Sequence, residues 1–138
     1  MPLEYVKRYS REMVRSRPEA WFVFGDNMER RGRGGQAAAC RDEPNTIGIP
    51  TKWFPHTGEQ AYFSDADFDL VEPHICGAVA QIRAHLMAGH TVVLPEDGIG
   101  TGLARLGEKA PAIATHLQEL MDGLSEFAKE IDDGMATD

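Results

Sequence analysis

A chain of 138 residues is long enough to bury one core and short for two domains of ordinary size. Its 22 acidic residues outnumber 14 basic ones, a formal net charge of −8, which argues against general nucleic-acid binding because duplex affinity rests mostly on Lys and Arg against phosphate. No apolar run reaches membrane-spanning length and the N-terminus shows no signal-peptide core, so the expectation is a cytoplasmic protein with no membrane partner.

Residues 1–20 are polar, with Tyr5, Val6, Tyr9, Met13 and Val14 at roughly helical spacing and Pro18 closing the segment. Trp21-Phe22-Val23-Phe24 reads as an apolar strand, with Gly25-Asp26-Asn27 at its end. Gly32-Arg33-Gly34-Gly35 then opens a short helix from about Gln36 to Arg41, and Asp42-Glu43-Pro44-Asn45 is a turn. Thr46-Ile47-Gly48-Ile49-Pro50 is a second strand.

Residues 51–67 lack periodicity and mix Trp53, Phe54, His56, Tyr62 and Phe63 with glycine and acids, as in a surface loop beside a site. Those aromatics could stack on a base, although packing the loop to the core is their commoner use. With Asp67 or Asp69 as cap, Val71, Ile75, Val79, Ile82 and Leu86 recur at helical spacing and predict an amphipathic helix against a sheet. Gly89 ends it, and Thr91-Val92-Val93-Leu94 is a third strand. A helix from about Glu108 to Met121 carries Ile113, Leu117, Leu120 and Met121 on one side. Residues 122–138 read as an acidic, flexible tail, leaving 1–121 as a single domain. Strands alternating with helices predict an α/β fold with a mostly parallel sheet.

The chemistry concentrates in two glycine loops at strand ends. Gly98, Gly100 and Gly102 alternate after Pro95-Glu96-Asp97, a pattern that allows positive φ and lets successive N–H groups converge on an anion. Two such loops point to a phosphate-bearing ligand at the carboxyl edge of the sheet. The candidate ligand-binding residues are Gly25, Gly34, Gly35 and Gln36 on the first loop and Gly98, Ile99, Gly100, Thr101 and Gly102 on the second. Asn27 would bond a ribose hydroxyl or orient a water, or else satisfy its own loop. Asp26 and Asp97 have acid–base potential beside the alternative of bracing their loops. Arg30, Arg31 and Arg33 form a basic run, and Lys52 could reach the ligand from a neighbouring strand end. Cys40 and Cys76 read as reduced core thiols, and the five histidines are too scattered for a metal site, so neither metal nor cofactor is expected.

Taken together these residues resemble a macro domain, the module that binds ADP-ribose. The correspondence lies in Phe22-Val23-Phe24-Gly25-Asp26-Asn27 followed by Gly32–Ala37, and in Pro95 followed by Ile99-Gly100-Thr101-Gly102. The chain is also similar to small phage-encoded macro-like proteins with the pattern FGDN…GxGGQA…GIPTK…PEDGIGTGLA, here spanning residues 22–104. The resemblance implies a three-layer sandwich and, for a phage-encoded chain, the host cytoplasm. It implies an ADP-ribose-like or other NAD-derived nucleotide as partner, with hydrolysis of an ADP-ribosyl or phosphoribosyl linkage as the associated activity. Asn27 would then position the distal ribose, the Gly98–Gly102 backbone would hold the diphosphate, and Asp26 or Asp97 would activate water. The alternatives are a non-catalytic binder that sequesters an NAD-derived signal, and an interaction module without ligand. Residues 1–20 contain no Gly-Asp-Ile/Val-Thr segment, so no adenine contact carries over.

Overall fold

Apolar side chains on both faces mark the inner strands of this chain as the middle of a sheet covered on both sides. In the computed structural model, which describes residues 3–102 and 104–134, four strands form one all-parallel sheet in the order β1-β4-β2-β3. They are β1 (Leu3–Val6), β2 (Ala20–Asn27), β3 (Thr46–Lys52) and β4 (Thr91–Pro95). Five α-helices among the described residues complete a three-layer α/β sandwich: α1 (Arg11–Ser16), α2 (Ala37–Cys40), α3 (Phe68–Met87), α4 (Leu106–Lys109) and α5 (Pro111–Asp132). None of these helices is long and apolar enough to cross a membrane.

Strand alternation sorts the core into two halves. Phe22, Phe24 and Val93 pack with Val14 of α1 and with Ala37 and Cys40 of α2. Val23, Val92 and Leu94 face the other way, into α3 and α5. The apolar stripe of α3 buries Val71, Ile75, Val79, Ile82 and Leu86. A capping box between Ser64 and Asp67 feeds the chain into that helix, and Gly89, at φ +84, turns it back toward β4.

The expected strands and the long helix at 70–88 stand close to their predicted places. Three segments differ. Leu3–Val6 is an edge strand, not part of a helix; the helical spacing over 5–14 joined residues of β1 to residues of α1. The last helix starts at Pro111, with α4 a separate turn before it. The segment from Asp122, expected as a tail, continues α5 to Asp132 and buries Leu124, Phe127 and Ala128. An acidic outer face hid that apolar row. Residues 135–138 of the expected tail lie outside the described residues.

The central pair of strands does not stay together. β2 and β4 pair only over Ala20–Phe22 and Thr91–Val93. Beyond that point β2 runs on with β3, and β4 with β1. The Tyr9 hydroxyl sits at the divergence, 2.9 Å from the Val23 carbonyl oxygen and 3.0 Å from that of Val93. The chain leaves β2 toward α2 on one face and β4 toward α4 and α5 on the other. Neighbouring strands whose exits turn to opposite faces make a switch point, where open α/β sheets place their ligands.

Candidate functional site

A cleft of about 230 Å³ opens where β2 and β4 part, and both glycine loops border it. Gly34, Gly35 and Gln36 come from the first loop, and Asp97, Gly98, Gly100, Thr101 and Gly102 from the second. Gly25, Asp26 and Asn27 at the end of β2 line it too, as do Thr51 and Lys52 at the end of β3. Pro55, from the expected site-bordering loop, reaches the same cleft, whereas Phe63 is in the core and Trp53 packs edge-on against it.

The second loop is built for glycine. Gly98 and Gly100 adopt φ of +92 and +83, and a Cβ on Gly100 would stand 3.0 Å from Leu106 Cδ2. The loop is pinned at both ends by hydrogen bonds from Gly98 N to the Pro95 carbonyl and from Leu106 N to the Gly100 carbonyl. Among the described residues nothing accepts from the N–H groups of Gly100, Thr101 or Gly102. Ile99 anchors the loop by packing into the core and does not line the cleft, a correction to its expected ligand role. Thr101 spends its hydroxyl proton on the Asp97 carbonyl oxygen at 3.0 Å, so it braces the loop instead of donating to an anion.

Asn27 is 6% exposed, and its two amide atoms are treated differently. Nδ2 donates to the Arg31 carbonyl oxygen at 2.7 Å, whereas the buried Oδ1 accepts from nothing among the described residues. A buried acceptor left unmet costs about 1–3 kcal/mol.

Asp26 is not a free base. Its Oδ1 accepts from Arg41 Nη2 and from Asn27 N, and its Oδ2 from Arg41 Nη1 at 3.0 Å and Arg30 Nη1 at 3.5 Å. With its lone pairs committed to cations, this carboxylate braces the end of β2, and its expected catalytic role falls away. Asp97 is exposed, and its carboxylate has no partner among the described residues. Gln36 ties the first loop to β2 by accepting from Gly25 N at 3.1 Å.

The basic run proves to be occupied. Arg30 bonds Asp26 and the Gly48 carbonyl, Arg31 pairs with Glu29 and Arg33 with Asp42. Lys52 is different: it is 6% exposed, donates to the His56 carbonyl oxygen at 2.7 Å and has no carboxylate partner among the described residues. Burial pushes the Cys40 thiol up to about 12, as expected of a core cysteine, whereas Cys76, expected in the core as well, is exposed on α3. Sequence reasoning missed Arg41 and Thr51. Arg41 left one signal, a lone cation following the apolar Ala37–Cys40 helix. Thr51 left none, because its role comes from a bulge in β3 that aims its hydroxyl at the Asp26 carbonyl.

No curated protein and no solved structure matches this chain significantly. The macro-domain resemblance is overturned, because the family model that matches is a different one. Its motifs misled for a physical reason: glycine at strand ends is demanded by tight turns and close backbone approach, whatever the ancestry of the chain. With residues 4–120 matched, the chain belongs to the family of unknown function DUF7831.

Proposed function

We propose that the cleft binds a nucleotide carrying a diphosphate, of the ADP-ribose or other NAD-derived type. One observation carries this reading: the backbone N–H groups of Gly100, Thr101 and Gly102, which meet no acceptor among the described residues, belong to the loop that lines the cleft. Phosphate offers only acceptors, so it suits the Gly100–Gly102 backbone. Asn27 lines the same cleft, and a small turn of its amide would bring the buried, unmet Oδ1 within reach of a sugar hydroxyl donor. The site also lies at the switch point of the sheet. At about 230 Å³ the cleft suits phosphates and a sugar, and a base would extend beyond it. Were the bound nucleotide also hydrolysed, Asp97 is the cleft carboxylate left free to activate water.

The test is calorimetric titration of ADP-ribose and ADP into wild type, Gly102→Glu and Asn27→Ala, with circular dichroism as folding control. Gly102 is chosen because a Cβ there meets nothing within 4 Å, whereas Gly100 is hemmed in by Leu106 and Thr51. Wild type is expected to bind and Gly102→Glu to lose binding through charge repulsion at the loop. Asn27→Ala is expected to weaken binding by about 1–3 kcal/mol. A wild type that binds neither nucleotide, or a folded Gly102→Glu protein that binds as well as wild type, overturns the proposal.

A further inference from the structure

Three cations meet around the ring of Tyr62. Lys52 Nζ stands 5.0 Å from the ring centroid, Lys109 Nζ 5.2 Å and the Arg105 guanidinium carbon 5.9 Å. Tyr62 is bridged to Lys52 across the end of β3, and Lys52 also lines the cleft, so the cluster and the cleft share a residue. Arg105 follows Ala104, another cleft residue. The face of an aromatic ring attracts each cation weakly, and it does not cancel the repulsion among three of them. Among the described residues only Arg105 finds a carboxylate, Glu108, at 2.6 Å. Lys52 commits one of its three N–H groups to the His56 carbonyl, at 2.7 Å. Lys52 and Lys109 meet no carboxylate among the described residues, so in a chain of net charge −8 the cluster keeps a local positive excess that an outside anion would satisfy.

We infer that Lys52, Arg105 and Lys109 form a second anion subsite beside the cleft, which takes a further phosphate of the ligand. The ligand class is thus a nucleotide with at least one phosphate beyond the two held at the glycine loop. This inference rests on the reading of the cleft given above. Tyr62 holds the three side chains in register, while the glycine loop sets where the neighbouring phosphates lie.

Inorganic pyrophosphate and tripolyphosphate, titrated by calorimetry, separate the two subsites. The proteins are wild type, Arg105→Asn/Lys109→Ala and Glu108→Gln. Asparagine is chosen because Arg105 sits at φ +48, a conformation that asparagine tolerates. Wild type should bind tripolyphosphate about tenfold more tightly than pyrophosphate, as one added charge contact allows. That advantage should vanish in the double variant, with pyrophosphate affinity unchanged, and should grow in Glu108→Gln. An advantage that survives in the double variant overturns the inference. So does a wild type that binds both anions equally, and in that case the cleft reading stands if ADP-ribose still binds in a Gly102-dependent way. If wild type binds neither anion nor ADP-ribose, both fall. Should the double variant unfold, Lys109→Ala alone gives the same comparison.

Discussion

Asp26 and Arg41 meet through two hydrogen bonds, with the carboxylate side chain 3% and the guanidinium side chain 12% exposed. Removing one partner of such a pair strands the other charge in the interior, at a cost of about 3–5 kcal/mol. Asp26→Ala should show a loss of that size in urea unfolding, and Asp26→Ala/Arg41→Met should recover part of it. Gly48 tests the same pair by geometry. A Cβ there would stand 2.7 Å from Asp26 Oδ2 and 2.9 Å from its Cβ, so Gly48→Ala should destabilise by about 1–3 kcal/mol in the same assay. The two cysteines give a third test. Exposed Cys76 should react with a thiol reagent in the native protein, while buried Cys40, its thiol raised to about 12, should react only after unfolding. At this scale the glycine loops were legible because glycine is the residue that takes positive φ without strain, as Gly98 and Gly100 do. The pairing of Asp26 with Arg41 was not, since contact across 15 residues exists only after α2 has packed on β2. Nor does any sequence show that Asn27 Oδ1 is unmet.

Among the elements, those with an unbroken apolar period were readable. α3 repeats its buried residues every turn, and β2 and β4 contain the continuous apolar runs Ala20–Phe24 and Val92–Pro95. β1 has four residues at a sheet edge, with Tyr5 facing out, and carries too little pattern to separate it from α1. The second half of α5 escaped because Asp122, Glu126, Glu130 and Asp132 drew attention away from the row Leu117, Leu124, Phe127 and Ala128. That row is structural. Phe127 is buried, and the Arg83 guanidinium lies 3.8 Å from its ring centroid. Phe127→Ala should therefore cost about 3–5 kcal/mol in urea unfolding, far more than truncation of a frayed tail would.

For the whole molecule, stability should fall in two steps on acidification. His85 stacks on Trp21 and lies with its Nδ1 2.9 Å from His90 Nδ1. Burial, and then the neighbouring His90, hold the His85 pKa below its ordinary value. The unfolded chain therefore takes up this proton first. The contribution is intact above about pH 6.5 and is lost as pH falls from there through the lower folded pKa. Glu43 loses some ionisation to burial, but hydrogen bonds from Arg11 and Arg15 outweigh that and hold its pKa low. Its contribution is present above the ordinary carboxylate range and disappears on further acidification. Thermal melts across this range should show the first step flattened in His85→Gln and the second in Glu43→Gln. The fold class was readable at this scale because parallel sheets need helical crossovers. The strand order was not, because no local pattern says that β4 inserts between β1 and β2.

The Tyr9 hydroxyl has one proton and two carbonyl oxygens within reach, on strands that are moving apart. It cannot satisfy both at once, and the strands cannot bond each other while the phenol stands between them. Burial pushes its pKa well above the usual tyrosine range, so the proton stays in place wherever the protein is folded. The phenol thus acts as a wedge, driven in from the α1 side, and Tyr9 itself does not line the cleft. A side chain on one face of the sheet therefore stands at the root of the opening on its edge. Tyr9→Phe would remove the wedge's polar tip and let β2 and β4 zip further toward their ends, narrowing the cleft from its root without touching a single residue that lines it.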